Sequence, residues 1–239
     1  MSAQDAAPGC SRRTALGVTA LLVMSFFALV AALSDAPRLS RPITAERAQR
    51  AAFAIRDRVY PFQQWGSRAF SLPLLESAYG RVEYLTLRAD GSDGAARYRA
   101  QLGALLESGV QVDLFLLAHS NPFVAWTREL DAAQRERIRL VYNTGCFDLR
   151  QRDEWLALGA DAYVGHVGNS ASSLFYVFFL RAWIRGDPLA EILEDSNALT
   201  ARFLHRLCAV LGARAEPLVE ATRAELGGAE RLAITGVPR

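Results

Sequence analysis

The stretch from Val110 to Gly168 most constrains what this chain can become. It holds two apolar runs, each leading to a residue able to do chemistry. Val110-Gln-Val-Asp-Leu-Phe-Leu-Leu-Ala118 delivers His119, and Ile138-Arg-Leu-Val-Tyr-Asn-Thr-Gly145 delivers Cys146. Short apolar runs rich in β-branched and aromatic residues read as buried strands. Between them the Glu- and Arg-rich segment Trp126 to Arg137 predicts a helix. A third apolar run, Asp161 to Val167, feeds Gly168-Asn-Ser170 and then another helix. A parallel strand–helix–strand unit brings the carboxyl ends of its strands side by side, and ligands of such sheets gather beyond those ends. His119, Cys146 and Asn169 are therefore expected on one edge of one sheet.

Composition removes several function classes. The formal net charge is +2 and the only basic pair near a terminus is Arg12-Arg13, so nucleic acid is not an expected partner. All 27 basic residues are arginine. With no lysine in the chain, Schiff-base and Walker-type lysine chemistry has no side chain to use. The three cysteines, Cys10, Cys146 and Cys208, are too sparse for a disulfide framework.

Near the start, Thr14 to Leu33 is a run of 20 residues without a charge. As a helix it would span about 30 Å, the hydrocarbon thickness of a bilayer. Arg12-Arg13 precede it, so the positive-inside rule keeps residues 1–13 in the cytoplasm and exports the rest. The expectation is a single-pass anchor over residues 14–33 in a bacterial inner membrane, with the body extracytoplasmic. A signal peptide cleaved near Val30-Ala-Ala32 is the alternative, and it exports the same body.

Residues 34–80 read as a linker and an N-terminal helix. Thr44 to Val59 fits a helix with Ala48, Ala52 and Ile55 on one face, and Tyr60 to Ser77 reads as irregular because Pro61, Gly66 and Pro73 interrupt it. Arg81 to Leu87 alternates as a strand, Ala95 to Glu107 is helical, and Gly109 closes that helix. After Cys146 come a short helix, Asp153 to Gly159, and a very apolar core helix, Ser170 to Trp183. Helices over Leu189 to Leu211 and Leu218 to Leu226 follow, with a last strand over Arg231 to Thr235. Strands alternating with helices predict an α/β domain over residues 81–239, its mainly parallel sheet flanked by helices.

A cysteine at a strand end beside an imidazole is a nucleophile with a base, because the thiolate is the attacking species. Ser170, in Gly168-Asn-Ser-Ala-Ser172, is a second nucleophile candidate, although it also fits a plain helix N-cap. His166 lies inside a strand and reads as a core or cleft-lining residue. His205 and Cys208 read as packing residues, so neither a metal site nor a cofactor is expected.

The order of apolar strand and His119, helix, apolar strand and Cys146 is followed by Ala157-Leu-Gly-Ala-Asp-Ala-Tyr-Val-Gly165 and by the long apolar helix Leu174 to Gly186. That order resembles the core of the caspase-like cysteine peptidases, the clan of caspases, gingipains, clostripains, legumains and bacterial CHAT-type domains. The resemblance covers roughly Arg81 to Asn197. It implies a three-layer sandwich, with His119 as general base and Cys146 as nucleophile. An oxyanion hole would come from the amides of Cys146 and of the residues after His119. Ser120, Asn121, Gly145, Asn169 and Ser170 would border the cleft, and the ligand would be a peptide or protein. The chain departs from the family in two places: Ser120 stands where glycine usually follows the histidine, and Thr144 stands where basic-specific members often carry an acid. The expected function is a membrane-anchored cysteine hydrolase, a peptidase. A catalytically silent caspase-like binding module and a serine hydrolase built on Ser170 are the rivals.

Overall fold

A computed structural model describes residues 45–57, 61–87, 93–119, 121–169 and 172–235. In chain order these form α1 (Ala45–Ala48), β1 (Arg50–Arg56), α2 (Pro61–Glu76), β2 (Arg81–Thr86), α3 (Gly94–Glu107) and β3 (Gln111–Leu117). They continue with α4 (Phe123–Arg128), α5 (Ala132–Arg135), β4 (Ile138–Asn143), a 3-10 turn (Asp148–Gln151), α6 (Arg152–Ala157) and β5 (Ala162–His166). Last come α7 (Ser172–Arg185), α8 (Leu189–Leu211), α9 (Glu216–Thr222) and β6 (Ala224–Gly228).

The strands make one six-stranded sheet in the order β2-β1-β3-β4-β5-β6. β1 to β5 are parallel, and β6 closes the edge antiparallel to β5. The expected α/β architecture with a mainly parallel sheet is therefore present. Helices cover both faces. On one face Phe53, Ile55, Leu114, Leu116 and Val141 pack against Tyr98, Leu102 and Leu105 of α3 and Phe123 of α4. On the other, the Tyr142 ring stacks on Phe179 of α7 at 4.3 Å between centroids, with Phe115 edge-on to Tyr142 and Tyr79 edge-on to Phe115. Strands buried on both sides are largely apolar, and β1, β4 and β5 are buried at every position, Arg50, Arg56 and Arg139 included.

One residue interrupts the ladder. Val112 lies opposite Ile138 and Asp113 opposite Leu140, so Arg139 is an extra residue bulged out of β4. Its Nε donates to Asp113 Oδ1 at 3.0 Å and its Nη2 to Oδ2 at 2.7 Å, both residues being buried. Tyr79 donates its hydroxyl to Asp113 Oδ2 at 2.6 Å and accepts from Trp183 Nε1 at 2.7 Å. Burial, reinforced by the Asp113 carboxylate, pushes the Tyr79 hydroxyl well above its usual range, so it remains a donor. Arg139 Nη1 reaches the carbonyl of Ala233 at 3.3 Å, tying the C-terminal segment to the same pair.

Several expectations need correction. Residues 50–56 are not part of a helix: the sequence Arg-Ala-Ala-Phe-Ala-Ile-Arg is a strand at the heart of the sheet. Ala52 and Ile55 suit equally well a strand whose two faces are both covered, and Ala48 ends α1 instead. Residues 61–76, read as irregular, are the helix α2. Pro61 opens it, where a missing N–H costs nothing, and buried Leu74 and Leu75 hold the turn containing Pro73 against the body. The single helix over 126–137 is two short ones, α4 and α5. The last helix stops at Thr222, and the sixth strand is Ala224–Gly228 rather than Arg231–Thr235. Leu232 and Ile234 are buried without joining the sheet: the carbonyl of Leu232 accepts from the amide of Leu189 at 2.8 Å. β1 and α2 thus belong to the same α/β unit as β2 to β6.

Removing one partner of a buried ion pair leaves an uncompensated charge, at a cost of about 3–5 kcal/mol. Asp113→Ala should therefore lower stability by about that much in urea unfolding. Asp113→Leu combined with Arg139→Met should recover most of the loss, because the pair is then replaced by apolar bulk.

Candidate functional site

The order of the sheet reverses between β1 and β3, since β2 lies on one side of β1 and β3 to β6 on the other. Beyond the carboxyl ends at such a reversal the crossovers part and leave a crevice. Asp57 follows β1 there, His119 follows β3, Cys146 follows β4, and Asn169 follows β5. His119 is exposed, and its amide donates to Asp57 Oδ2 at 2.5 Å, which clamps the end of β3 to the end of β1.

Asn121 crosses from the His119 loop to the turn after β4. Its Oδ1 accepts from Asn143 Nδ2 at 3.0 Å, and its carbonyl accepts from Gln151 Nε2 at 3.0 Å. A Cβ on Gly145 would lie 2.8 Å from Asn121 Nδ2, so a side chain there would have to displace the Asn121 amide. The residues around the thiol are held closely. Thr144 donates its amide to Leu116 O at 3.0 Å, Gly145 to Asn143 Oδ1 at 3.1 Å, and Phe147 to Gly168 O at 3.0 Å. The amide of Cys146 itself makes no hydrogen bond to a described residue.

Phe147 adopts φ 56°, the one non-glycine residue with positive φ among those described. Left-handed backbone at a bulky side chain costs of order 1–3 kcal/mol and persists only where the surroundings enforce it. Here the bond to Gly168 O enforces it, and the phenyl ring stands 51% exposed beside a half-buried Cys146. Cys146 and Cys208 are both free thiols. No hydrogen bond joins the His119 ring to the Cys146 thiol in this conformation.

Of the cleft residues expected from sequence, Asn121 and Gly145 meet at one point, and Asn169 is exposed on the same edge. Ser120 and Ser170 lie outside the described residues, as does the apolar run Thr14 to Leu33. Among the described residues no helix is long and apolar enough to cross a membrane, and no group of three or more His, Cys, Asp and Glu is placed to hold a metal ion.

Two carboxyl groups were missed. Asp57 follows a strand mistaken for a helix, so its position at the sheet edge was invisible. Asp148, two residues after Cys146, is fully buried under the site. Its Oδ1 accepts from the amide of His166 at 2.5 Å and its carbonyl accepts from the Tyr163 hydroxyl at 2.7 Å. Its Oδ2 has no hydrogen-bond partner among the described residues. Burial pushes this carboxyl from the ordinary 3.8 up to about 8. His166, as expected, is a core residue: its Nδ1 lies 2.6 Å from Thr222 O, and burial pushes the ring down to about 4.

Comparison with protein-family models, with curated proteins and with solved structures found nothing that matches this chain.

The two shifts make opposite contributions to stability. The folded chain keeps on Asp148 a proton that the unfolded chain has released, so stability falls as pH rises from 3.8 to about 8. Below 6.5 the unfolded chain protonates a histidine that the folded chain keeps neutral, so His166 removes stability as pH falls towards about 4. Between 6.5 and about 8 only the Asp148 effect remains of the two, at up to about 1.4 kcal/mol per pH unit. Urea midpoints measured across that window should decline with pH, and Asp148→Asn should flatten the decline. An equal slope in the variant would remove Asp148 as its source.

Proposed function

We propose that this chain is a cysteine hydrolase, a peptidase of caspase-like type, in which His119 takes the proton of the Cys146 thiol. The observation that carries the reading is that His119 and Cys146 end neighbouring parallel strands, β3 and β4, at the same edge of the sheet. In the proposed reaction the Cys146 thiolate attacks the peptide carbonyl, and the leaving amine takes its proton from the histidine. Water then releases the acyl group. The Cys146 amide, not engaged by a described residue, is suited to donate to the oxyanion. The enforced turn at Phe147 supports the reading, because strained backbone concentrates where a side chain must be aimed. The exposed Phe147 ring offers an apolar contact to the substrate beside the sulfur. The helices on both sheet faces agree with the sandwich that the resemblance implies.

In the same reading residues 14–33 anchor the chain in a membrane and the hydrolase faces the extracytoplasmic side. The support is the uncharged run of 20 residues behind Arg12-Arg13.

A specific observation favours a second reading, a silent domain that binds a partner: the His119 ring and the Cys146 thiol share no hydrogen bond. Thiol pairs of this kind are often looser without substrate, so both readings are put to one test. A peptidyl acyloxymethyl ketone library applied to the full chain should label Cys146 and neither Cys10 nor Cys208, and Cys146→Ala should abolish cleavage of matching fluorogenic peptides. A native chain that resists every thiol reagent at Cys146 is the silent domain instead.

A further inference from the structure

Helix α8 carries an unusual surface. Its 23 residues bury Leu189, Ile192, Leu193, Ser196, Thr200, Leu204 and Cys208, a stripe at helical spacing that faces the body. Along the edge of that stripe, and merging with it at Leu207 and Leu211, runs a second apolar row in which Leu199, Val210 and Leu211 are exposed and Phe203 and Leu207 are half-buried. Three of the four large hydrophobic residues exposed among those described belong to it: Leu199 at 39%, Val210 at 84% and Leu211 at 60%. Single exposed hydrophobics need no explanation, but several along one helix edge do.

The charges beside the stripe indicate what meets it. Arg202 and Arg206 are exposed, one turn from Leu199 and Val210 respectively, and exposed Arg214 follows the left-handed Gly212 that ends the helix. Among the described residues none of these three arginines joins an ion pair. Other surface arginines are matched, as Arg99 is to Glu129, Arg128 to Glu154 and Arg185 to Asp187, while exposed Arg150 and Arg231 share the lack of an ion pair among the described residues. The flanking acids along the chain are exposed Asp195, one turn before Leu199, and Glu216 on α9.

We propose that the second half of α8, from Leu199 to Leu211, lies in the headgroup region of an anionic bilayer. Val210, Leu211 and Phe203 would enter the acyl boundary, while Arg202, Arg206 and Arg214 reach back to phosphates. An amphipathic helix with arginine at the border of its apolar face has the layout of an interfacial contact. The guanidinium fork matches phosphate oxygens in pairs. A second copy of the chain fits this surface less well, because a two-fold contact would bring unmatched arginines against each other. This inference does not rest on the peptidase reading and stands if Cys146 is inert.

The test is hydrogen exchange on the full chain, reconstituted into phosphatidylcholine vesicles with or without phosphatidylglycerol and compared with the same chain in neutral detergent. Amides from Arg202 to Gly212 should exchange several-fold more slowly with phosphatidylglycerol present than in either other condition. Val210→Ser with Leu211→Ser should remove that protection. Arg202→Gln with Arg206→Gln and Arg214→Gln should remove its dependence on phosphatidylglycerol, and exchange in β3 and β4 should stay unchanged in both variants as a check on folding. Equal exchange in the two vesicle types overturns the proposal. So does protection in detergent that grows with protein concentration, which would mark a contact between copies.

Discussion

Arg139 is one residue too many for its strand, and the carboxylate of Asp113 on β3 is what holds it there. The consequence runs along the whole of β4. Because side chains alternate, one extra residue exchanges the two faces of everything that follows it. With the bulge, Val141 and Asn143 face the side of Leu114 and Leu116, while Leu140 and Tyr142 face that of Asp113 and Phe115. Asn143 can then reach Asn121 and hold the Gly145 amide, and Tyr142 can stack on Phe179. A buried pair is costly to desolvate and is tolerated only where its remaining hydrogen-bonding capacity is met. Tyr79 and the Ala233 carbonyl meet much of it here.

Downstream of that register the carboxyl edge is built as two linked loops. Asp57 fixes the start of the first by holding the His119 amide, and Asn121 carries it across to Gly145. The second turns through Phe147 in left-handed backbone and is pinned to the loop after β5 by Gly168. Asp148 lies directly beneath, buried and protonated through the lower neutral range, joined to β5 through the His166 amide. Its ionisation at higher pH would place a buried charge next to the segment bearing Cys146, with the amides of His166, Asp148 and Gly145 opposing the cost of burial.

The strands that carry His119 and Cys146 were legible in the sequence because each is a single apolar run ending at a polar turn. The centre of the sheet was not. Arg50–Arg56 contains four small or β-branched positions whose spacing satisfies a helix as well as a strand, and burial on both faces erases the alternation that separates them. The edge strand Ala224–Gly228 escaped for the opposite reason: its Glu and Gly residues have little intrinsic preference for a sheet, and pairing with β5 imposes it. The candidate pair was visible as chemistry at strand ends. Asp57 and Asp148 were not, since one depended on the misread strand and the other on a turn whose shape is set by contacts distant in sequence.

In the proposed reaction His119 and Cys146 act on one another across the ends of β3 and β4. The rate of Cys146 carbamidomethylation by iodoacetamide in the native chain tests it without knowledge of a substrate. If the imidazole draws off the thiol proton, His119→Ala should slow the reaction at neutral pH by about tenfold or more, while reagent access to the half-buried sulfur is unchanged. An identical rate in the two proteins would contradict the pairing and leave Cys146 as a thiol held in a strained turn for some other purpose.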